Sequence, residues 1–252
     1  MKISNSVAFV TGANGGIGQA LIHELIGRGA IKVYASVRNK ASLRTLEATY
    51  GSRVVGIHLD VTDLASVMNV SVEAGDVNLV INNAGFSGET GALSGDDAAL
   101  ARREMDVNYF GPLYISRAFA PTLKSNGGGV IVNVLSFLSL VTLPLMGTYS
   151  ASKAAALSLT NSLRAELSAQ GTAVIAAMPV QVDTAMGAWT DQEKVTAEDA
   201  ALDIMDAIEN ELTEVFPGTL SRVAAAAFVA DPKGLQAQLA TILPSTRSRQ
   251  SN

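Results

Sequence analysis

The 252-residue chain contains no cysteine, which excludes disulfide bridges and thiolate metal sites. It has two histidines, His23 and His58, far apart in sequence. That scarcity argues against a zinc site or a histidine-dependent nucleophilic triad, and no metal is expected. His23 reads as a helix-surface residue and His58 as a strand-end residue. Charge is also sparse, at 16% Asp, Glu, Lys and Arg, with a net charge of −5. An acidic chain of this kind lacks the basic footprint of a nucleic-acid partner. Long hydrophobic runs are missing as well, because Gly, Pro, Ser or Thr breaks each one well short of a membrane span. The first residues, Met1 to Ser6, run straight into a strand-like stretch without a leader pattern. A soluble, cytoplasmic protein is the expectation. There is no internal repeat or long linker.

What remains is a hydrophobic content of 48%, high enough to argue against disorder. The length suits one large α/β domain over residues 1–252 or two small ones. The pattern favours the single domain, with residues 245–252 as a frayed polar tail. Short β-branched runs alternate with longer helical stretches. Strands are read over Val7–Thr11, Ile31–Ser36, Arg53–Leu59, Val77–Ile81, Val130–Leu135 and Thr172–Met178, with a short seventh over Glu214–Phe216. Helices are read over Gln19–Arg28, Asp96–Ser125 (bent near Gly111-Pro112), Tyr149–Gln170, Glu198–Leu212 and Arg222–Leu243 (broken near Asp231-Pro232). This alternation predicts an α/β fold, a doubly wound parallel sheet in three αβα layers.

The chain's chemistry clusters at the carboxyl ends of these strands. Thr11 to Gly18 (TGANGGIG) lies between a buried strand and an amphipathic helix, the context of a dinucleotide turn. Gly12 permits the tight turn, Gly16 a close backbone approach to pyrophosphate, and Gly18 close helix–strand packing. The competing reading is an ordinary glycine-rich turn. After the second strand, Val33 to Lys40 holds no carboxylate for ribose hydroxyls but does hold Arg38. A guanidinium there suits a 2′-phosphate, so NADP(H) is preferred over a possible NAD(H). Asp60 and Val61 follow the third strand, where they suit an adenine, while Thr62 or Asp63 suits a helix cap. Asn83, Ala84 and Gly85 follow the fourth strand and let a ligand approach closely. Asn108 sits inside an apolar helix, where it either bonds neighbouring backbone or opens the helix around a water. Ser136 ends the fifth strand. Tyr149 and Lys153, four apart, share one helix face. An ammonium beside a phenol lowers its pKa from the usual value of roughly 10.

Taken together, T-G-x-x-x-G-x-G at Thr11–Gly18, N-N-A-G at Asn82–Gly85, Asn108, Ser136 and Y-S-A-S-K at Tyr149–Lys153 resemble the short-chain dehydrogenase/reductase family. The resemblance runs from Val7 to about Phe216 and implies a Rossmann-type fold with reversible hydride transfer between a nicotinamide and an alcohol or carbonyl carbon. It implies that Tyr149 is the general acid/base and that Ser136 binds the carbonyl oxygen. Lys153 would hold the nicotinamide ribose and lower the pKa of Tyr149, and Asn108 would anchor a proton-relaying water. The cofactor site it implies comprises Gly12, Asn14, Gly16, Ile17, Gly18, Arg38, Asp60, Val61, Asn83, Ala84, Gly85, Val182 and Thr184, with Tyr149 and Lys153. It also implies a homodimer or homotetramer packed through the helices of Asn108 and Tyr149.

The chain departs from the family pattern at three places. Val180 follows Pro179 where the family usually has glycine, which reshapes that loop or narrows the pocket. Gly15 stands where NADP-preferring relatives often carry a basic residue, and Phe216-Pro217-Gly218 replaces a glycine-rich end.

Phe86, Phe137, Leu138, Leu143, Met146, Val180, Met186 and Trp189 fall in segments expected to surround the reacting carbon. They suggest a small apolar ketone or alcohol, although each residue alone reads equally well as core. The leading function is therefore an NADPH-dependent carbonyl reductase or alcohol dehydrogenase. The alternatives are a 3-ketoacyl or steroid reductase of the same family and, from another class, a non-catalytic nucleotide sensor or scaffold.

Overall fold

A computed structural model describes residues 1–94 and 98–244. Its frame is a seven-stranded parallel sheet of order β3-β2-β1-β4-β5-β6-β7. The strands are β1 Val7–Thr11, β2 Lys32–Val37, β3 Val54–His58, β4 Leu79–Asn82, β5 Gly129–Val134, β6 Thr172–Ala177 and β7 Glu214–Val215. Every residue of β1 is buried, as a central strand covered on both faces requires. Its side chains alternate between two cores. Ala8 and Val10 join one with Leu21, Ile22, Leu25 and Ile204. Phe9 joins the other with Ile115, Phe119 and Leu163, and its ring lies 4.7 Å from that of Phe119. Truncating a buried ring of this kind to alanine typically costs about 3–5 kcal/mol.

Helices α1 (Gly16–Gly27), α2 (Ala41–Tyr50) and α3 (Leu64–Glu73) follow the first three strands. The stretch expected as one bent helix from Asp96 begins outside the described residues. It continues as α4 (Ala99–Met105), a π-helical segment over Asp106–Phe110, and α5 (Gly111–Ser125). The distortion therefore precedes Gly111-Pro112. Pro112 falls in the first turn of α5, where a missing N–H breaks no intrahelical bond. Helix α6 (Gly147–Leu167) starts two residues before Tyr149, and α7 (Ala197–Glu209) is capped by Thr196. The expected C-terminal helix is two, α8 (Gly218–Ala230) and α9 (Pro232–Leu239), with Asp231 capping the second. The polar tail at 245–252 lies outside the described residues.

The strand order reverses between β1 and β4, where neighbouring connections leave in opposite directions. A crevice opens there at the carboxyl ends of the strands. Among the described residues, no helix is long and apolar enough to cross a membrane, and no group of three or more His, Cys, Asp or Glu could hold a metal ion.

Candidate active site

The crevice is built by backbone first. Gly12 has a φ of +64°, a left-handed value that disfavours side chains. An added Cβ there would stand 2.9 Å from Ala84 Cα. At Gly16 it would meet Thr184 Cγ2 at 2.6 Å, and at Gly18 the Gly12 carbonyl oxygen at 2.3 Å. The turn is thus packed against β1 and the loop after β6 with no room for a methyl group. Helix α1 has no side-chain cap, so its first N–H groups point into the crevice without intrahelical partners. This cradle fits the pyrophosphate of a dinucleotide. Ile17 packs against the α1-side core. Asn14 is turned outward and donates to Ser42 Oγ at 3.2 Å.

A hydroxyl the sequence reading left without a role locks the adjacent loop. Thr11 Oγ1 accepts from Asn83 N at 3.0 Å and Ala84 N at 2.9 Å. Asn83 Nδ2 donates to the Thr11 and Gly12 carbonyls at 3.0 and 3.1 Å. Its side chain therefore fastens β4 to the glycine turn. Gly85 lies at a convergence: a Cβ there would be 3.6 Å from Asn108 Oδ1 and 3.8 Å from both Lys153 Nζ and Met186 Cε. Of the two options for Asn108, backbone bonding is observed. Its Oδ1 accepts from Phe86 N at 2.9 Å, and Nδ2 donates to Phe86 O at 2.8 Å and Ser152 Oγ at 2.9 Å. Both amide hydrogens are used. A water on this side chain has only the remaining oxygen lone pair.

Arg38 is exposed just beyond β2. Asp60 is half-buried at the end of β3, accepting from Thr62 N and Oγ1 at 3.0 and 2.7 Å. Burial pushes its carboxyl up, but the Thr62 bonds, Arg38 and Arg103 outweigh that and hold it below the usual value. Asp63, not Thr62, caps α3. Val61 is buried against Gly111. Val182 is buried and forms a parallel bridge with Val195, with Thr184 just beyond.

Ser136, Tyr149 and Lys153 are all buried. Lys153 Nζ donates to Val134 O at 3.0 Å, at the very end of β5, and stands 5.7 Å from the Tyr149 ring centre. Ser136 Oγ accepts from Leu138 N at 3.2 Å. Burial pushes Tyr149 up to about 12; a hydrogen bond with Ser136 opposes this and the Glu104 charge adds to it. Burial pushes Lys153 down to about 8. The direction at Tyr149 is opposite to the lowering expected from its neighbour. Burial of the ring outweighs the Ser136 hydrogen bond, which alone acts to lower the value.

Glu104 was not singled out from sequence. It is fully buried on α4, with Oε1 accepting from Gly88 N at 2.8 Å and Oε2 without a partner. Its neighbours Arg102, Arg103 and Asp106 are also charged, so the local sequence does not mark Glu104 as the buried member of the run.

The expected pocket residues divide. Leu138, Leu143, Met146 and Trp189 form one cluster with Tyr149. Phe137 is buried beside them with its ring edge-on to Phe228. Met186 reaches the Gly85 convergence while remaining partly exposed. Phe86 instead lies under the Arg103 guanidinium at 4.1 Å. Val180 packs against the α1-side core and donates its N–H to Ser221 Oγ at 3.0 Å. Among non-glycine described residues only Glu89 and Glu211 have positive φ. Valine at position 180 is therefore not strained by a positive φ. A groove of 660 Å³ lies at the opposite end of the sheet, by the amino ends of β5 and β6, away from this crevice. Its Arg164 is committed to Val174 O, Asn161 and Thr213 O.

A glycine cradle at the sheet reversal, facing a buried Ser, Tyr and Lys, defines the class of nicotinamide-dependent oxidoreductases. Residues 6–195 match the family model described as short chain dehydrogenase, and the chain belongs to the short-chain dehydrogenase/reductase family. It is 33% identical over 194 residues to 2-(R)-hydroxypropyl-CoM dehydrogenase of Xanthobacter autotrophicus, covering 73% of this chain and 77% of the relative. Galactitol 2-dehydrogenase of Agrobacterium fabrum is 32% identical over 188 residues, 73% of each chain. Among solved structures, a short chain dehydrogenase from Burkholderia cenocepacia in complex with NADP superposes with a TM-score of 0.89 at 43% identity, covering 95% of this chain and 99% of that one. A relative from Burkholderia phymatum in complex with NAD gives 0.79 at 26% identity, covering 91% and 92%. The protein is an NAD(P)-dependent oxidoreductase acting on hydroxyl or carbonyl groups.

Proposed function

We propose that the protein is an NADPH-dependent carbonyl reductase, reversible as an alcohol dehydrogenase, with Tyr149 as general acid and base. The observation that carries this reading is the meeting of buried Ser136, Tyr149 and Lys153 at the sheet reversal. The bound nicotinamide supplies or accepts the hydride. During reduction the substrate oxygen gains charge and needs both a hydrogen bond and a proton. Tyr149, pushed up to about 12, is a neutral phenol at physiological pH and donates the proton. The Ser136 hydroxyl donates a hydrogen bond to the same oxygen. Lys153, with a value of about 8, is mostly an ammonium near neutrality and stabilises the phenolate left behind. It is also placed to hold the nicotinamide ribose. Asn108 fixes the Phe86 loop to α6 through Ser152, which keeps Gly85 open towards the nicotinamide.

NADPH is the favoured cofactor in this reading, because Arg38 offers an exposed guanidinium where a carboxylate would select NADH. The substrate is an uncharged apolar ketone. This is supported by the leucines, Met146 and Trp189 that pack around Tyr149; the nearby ammonium, Lys153, is assigned to the phenol and the ribose.

The test is consumption of NADPH and NADH in parallel with aryl and alkyl ketones, using wild type and Tyr149→Phe. Wild type is expected to consume NADPH preferentially. Tyr149→Phe is expected to lose at least about 10³-fold in kcat while binding NADPH within about twofold of wild type. Normal turnover in Tyr149→Phe would sink the mechanism. NADH preference would remove Arg38 as a phosphate clamp. Tight cofactor binding without any turnover would favour a sensor.

A further inference from the structure

The C-terminal hairpin returns to the substrate side of the crevice. Phe228 of α8 sets its ring 6.4 Å from, and 89° to, that of Phe137, the residue after Ser136. The chain then turns at Asp231, and α9 crosses the segment leading into α6. Gln236 and Thr142 exchange two hydrogen bonds, Thr142 N to Gln236 Oε1 at 2.8 Å and Gln236 Nε2 to Thr142 O at 2.9 Å. Leu145 N donates to Ile242 O at 3.2 Å. Pro244 ends against Gly91, where an added Cβ would stand 2.5 Å from Pro244 Cγ. Between these ties, Leu239 enters the apolar cluster of Leu143, Met146, Trp189 and Tyr149. The second half of α9 and the residues after it are thus tied to the segment leading into α6, with Leu239 packed on the Tyr149 cluster.

We propose that α9 and residues 240–244 form the outer wall of the substrate pocket, and that Leu239 sets the size of the apolar substituent admitted beside the carbonyl. This rests on the ketone-reductase reading. The wall is specific in chemistry as well as position. Gln236 and the Ile242 carbonyl are engaged by Thr142 and Leu145, and the side chain that the wall packs on the Tyr149 cluster is the aliphatic Leu239. A substrate with a charged substituent would lose its hydration there without a partner. An aryl or alkyl group instead gains roughly 0.8 kcal/mol for each methylene buried. Shortening Leu239 therefore creates room for a larger group, and lengthening it removes room.

Trp189 is the chain's one tryptophan and belongs to the same cluster, so its emission reports entry of a ligand without requiring turnover. The full chain loaded with NADP⁺ is titrated with phenyl ketones of increasing alkyl length, from acetophenone to hexanophenone. Wild type, Leu239→Ala and Leu239→Phe are compared, each checked for cooperative unfolding and unchanged cofactor binding. The ratio of Kd for the longest to the shortest ketone is expected to fall by about fivefold or more in Leu239→Ala and to rise in Leu239→Phe. Ratios within about twofold of wild type in both variants, or no Trp189 response in wild type, overturn the wall. NADPH consumption is measured on the same ketones. Variant-dependent binding without consumption supports the wall and removes the reductase reading; consumption with unchanged ratios keeps the reductase and removes the wall.

Discussion

Lys153 illustrates how a single residue sets function against stability. Its value falls from 10.5 to about 8 because the ammonium is buried, with Val134 O as its hydrogen-bond partner. The unfolded chain keeps the ordinary value. Below about pH 8 both states are protonated, and the folded protein bears the whole cost of burying the charge. From about 8 up to 10.5 the unfolded state binds more protons, so this group makes stability rise with pH. A lowering of that size corresponds to roughly 3 kcal/mol. Lys153→Met is therefore expected to be inactive yet more stable than wild type at pH 7 by roughly 2–3 kcal/mol, with the advantage shrinking towards pH 10. Urea unfolding at several pH values measures it; a variant less stable at pH 7 would show that the ammonium has stronger folded-state support. Tyr149 acts in the other direction. Raised to about 12, it holds its proton from pH 10 to 12 where the unfolded chain has lost it, and stability falls through that window.

At the scale of elements, the turn from β1 into α1 was legible because its requirements are local. A buried strand, glycines at set spacing and an amphipathic helix can each be read within a dozen residues. The structure separates two of these glycines. Gly18 faces backbone, with the Gly12 carbonyl 2.3 Å from an added Cβ, whereas Gly16 faces the Thr184 side chain at 2.6 Å. Gly18→Ala is expected to destabilise the fold by about 1–3 kcal/mol, because the backbone must move. Gly16→Ala is expected to keep most stability, through displacement of Thr184, but to weaken NADPH binding by about tenfold or more, since the methyl occupies the cofactor's approach. Thermal unfolding and cofactor titration of the two variants separate these effects; equal loss of stability in both would refute the distinction. Other elements were less legible. Helix α2 fully buries only Leu46, with Leu43 and Tyr50 half-buried beside it, a narrow stripe in a short and otherwise polar segment. The π-helical segment, which ends at Phe110 just before Gly111-Pro112, holds Asn108, whose partners Phe86 and Ser152 are distant in sequence. Leu239 could not be placed near Tyr149 at all. Its position depends on the path of the hairpin, and its periodicity shows only that it faces something apolar.

For the whole molecule, the order of the strands explains why weak motifs scattered from Thr11 to Thr184 come together, since each follows a strand that ends at the same crevice. The surface left over has its own logic. The π-helical segment presents Phe110, which is exposed, within an aromatic run in which Tyr109 and Phe110 rings are 5.0 Å apart and Phe110 and Tyr114 rings 5.9 Å apart. On α6, Ala151, Ala154 and Ser158 are exposed along one side, and small residues there allow another helix to approach closely. The homodimer or homotetramer expected from the sequence would pack through these two elements, and its mass tests that. Light scattering is expected to give two or four times the chain mass of 26.1 kDa, and Ala154→Arg with Phe110→Asp to reduce it to one chain. A substituted cation and carboxylate in a buried interface lack partners and cost several kcal/mol. Loss of activity together with the mass change would tie catalysis to assembly, whereas a wild-type mass of one chain would refute the contact.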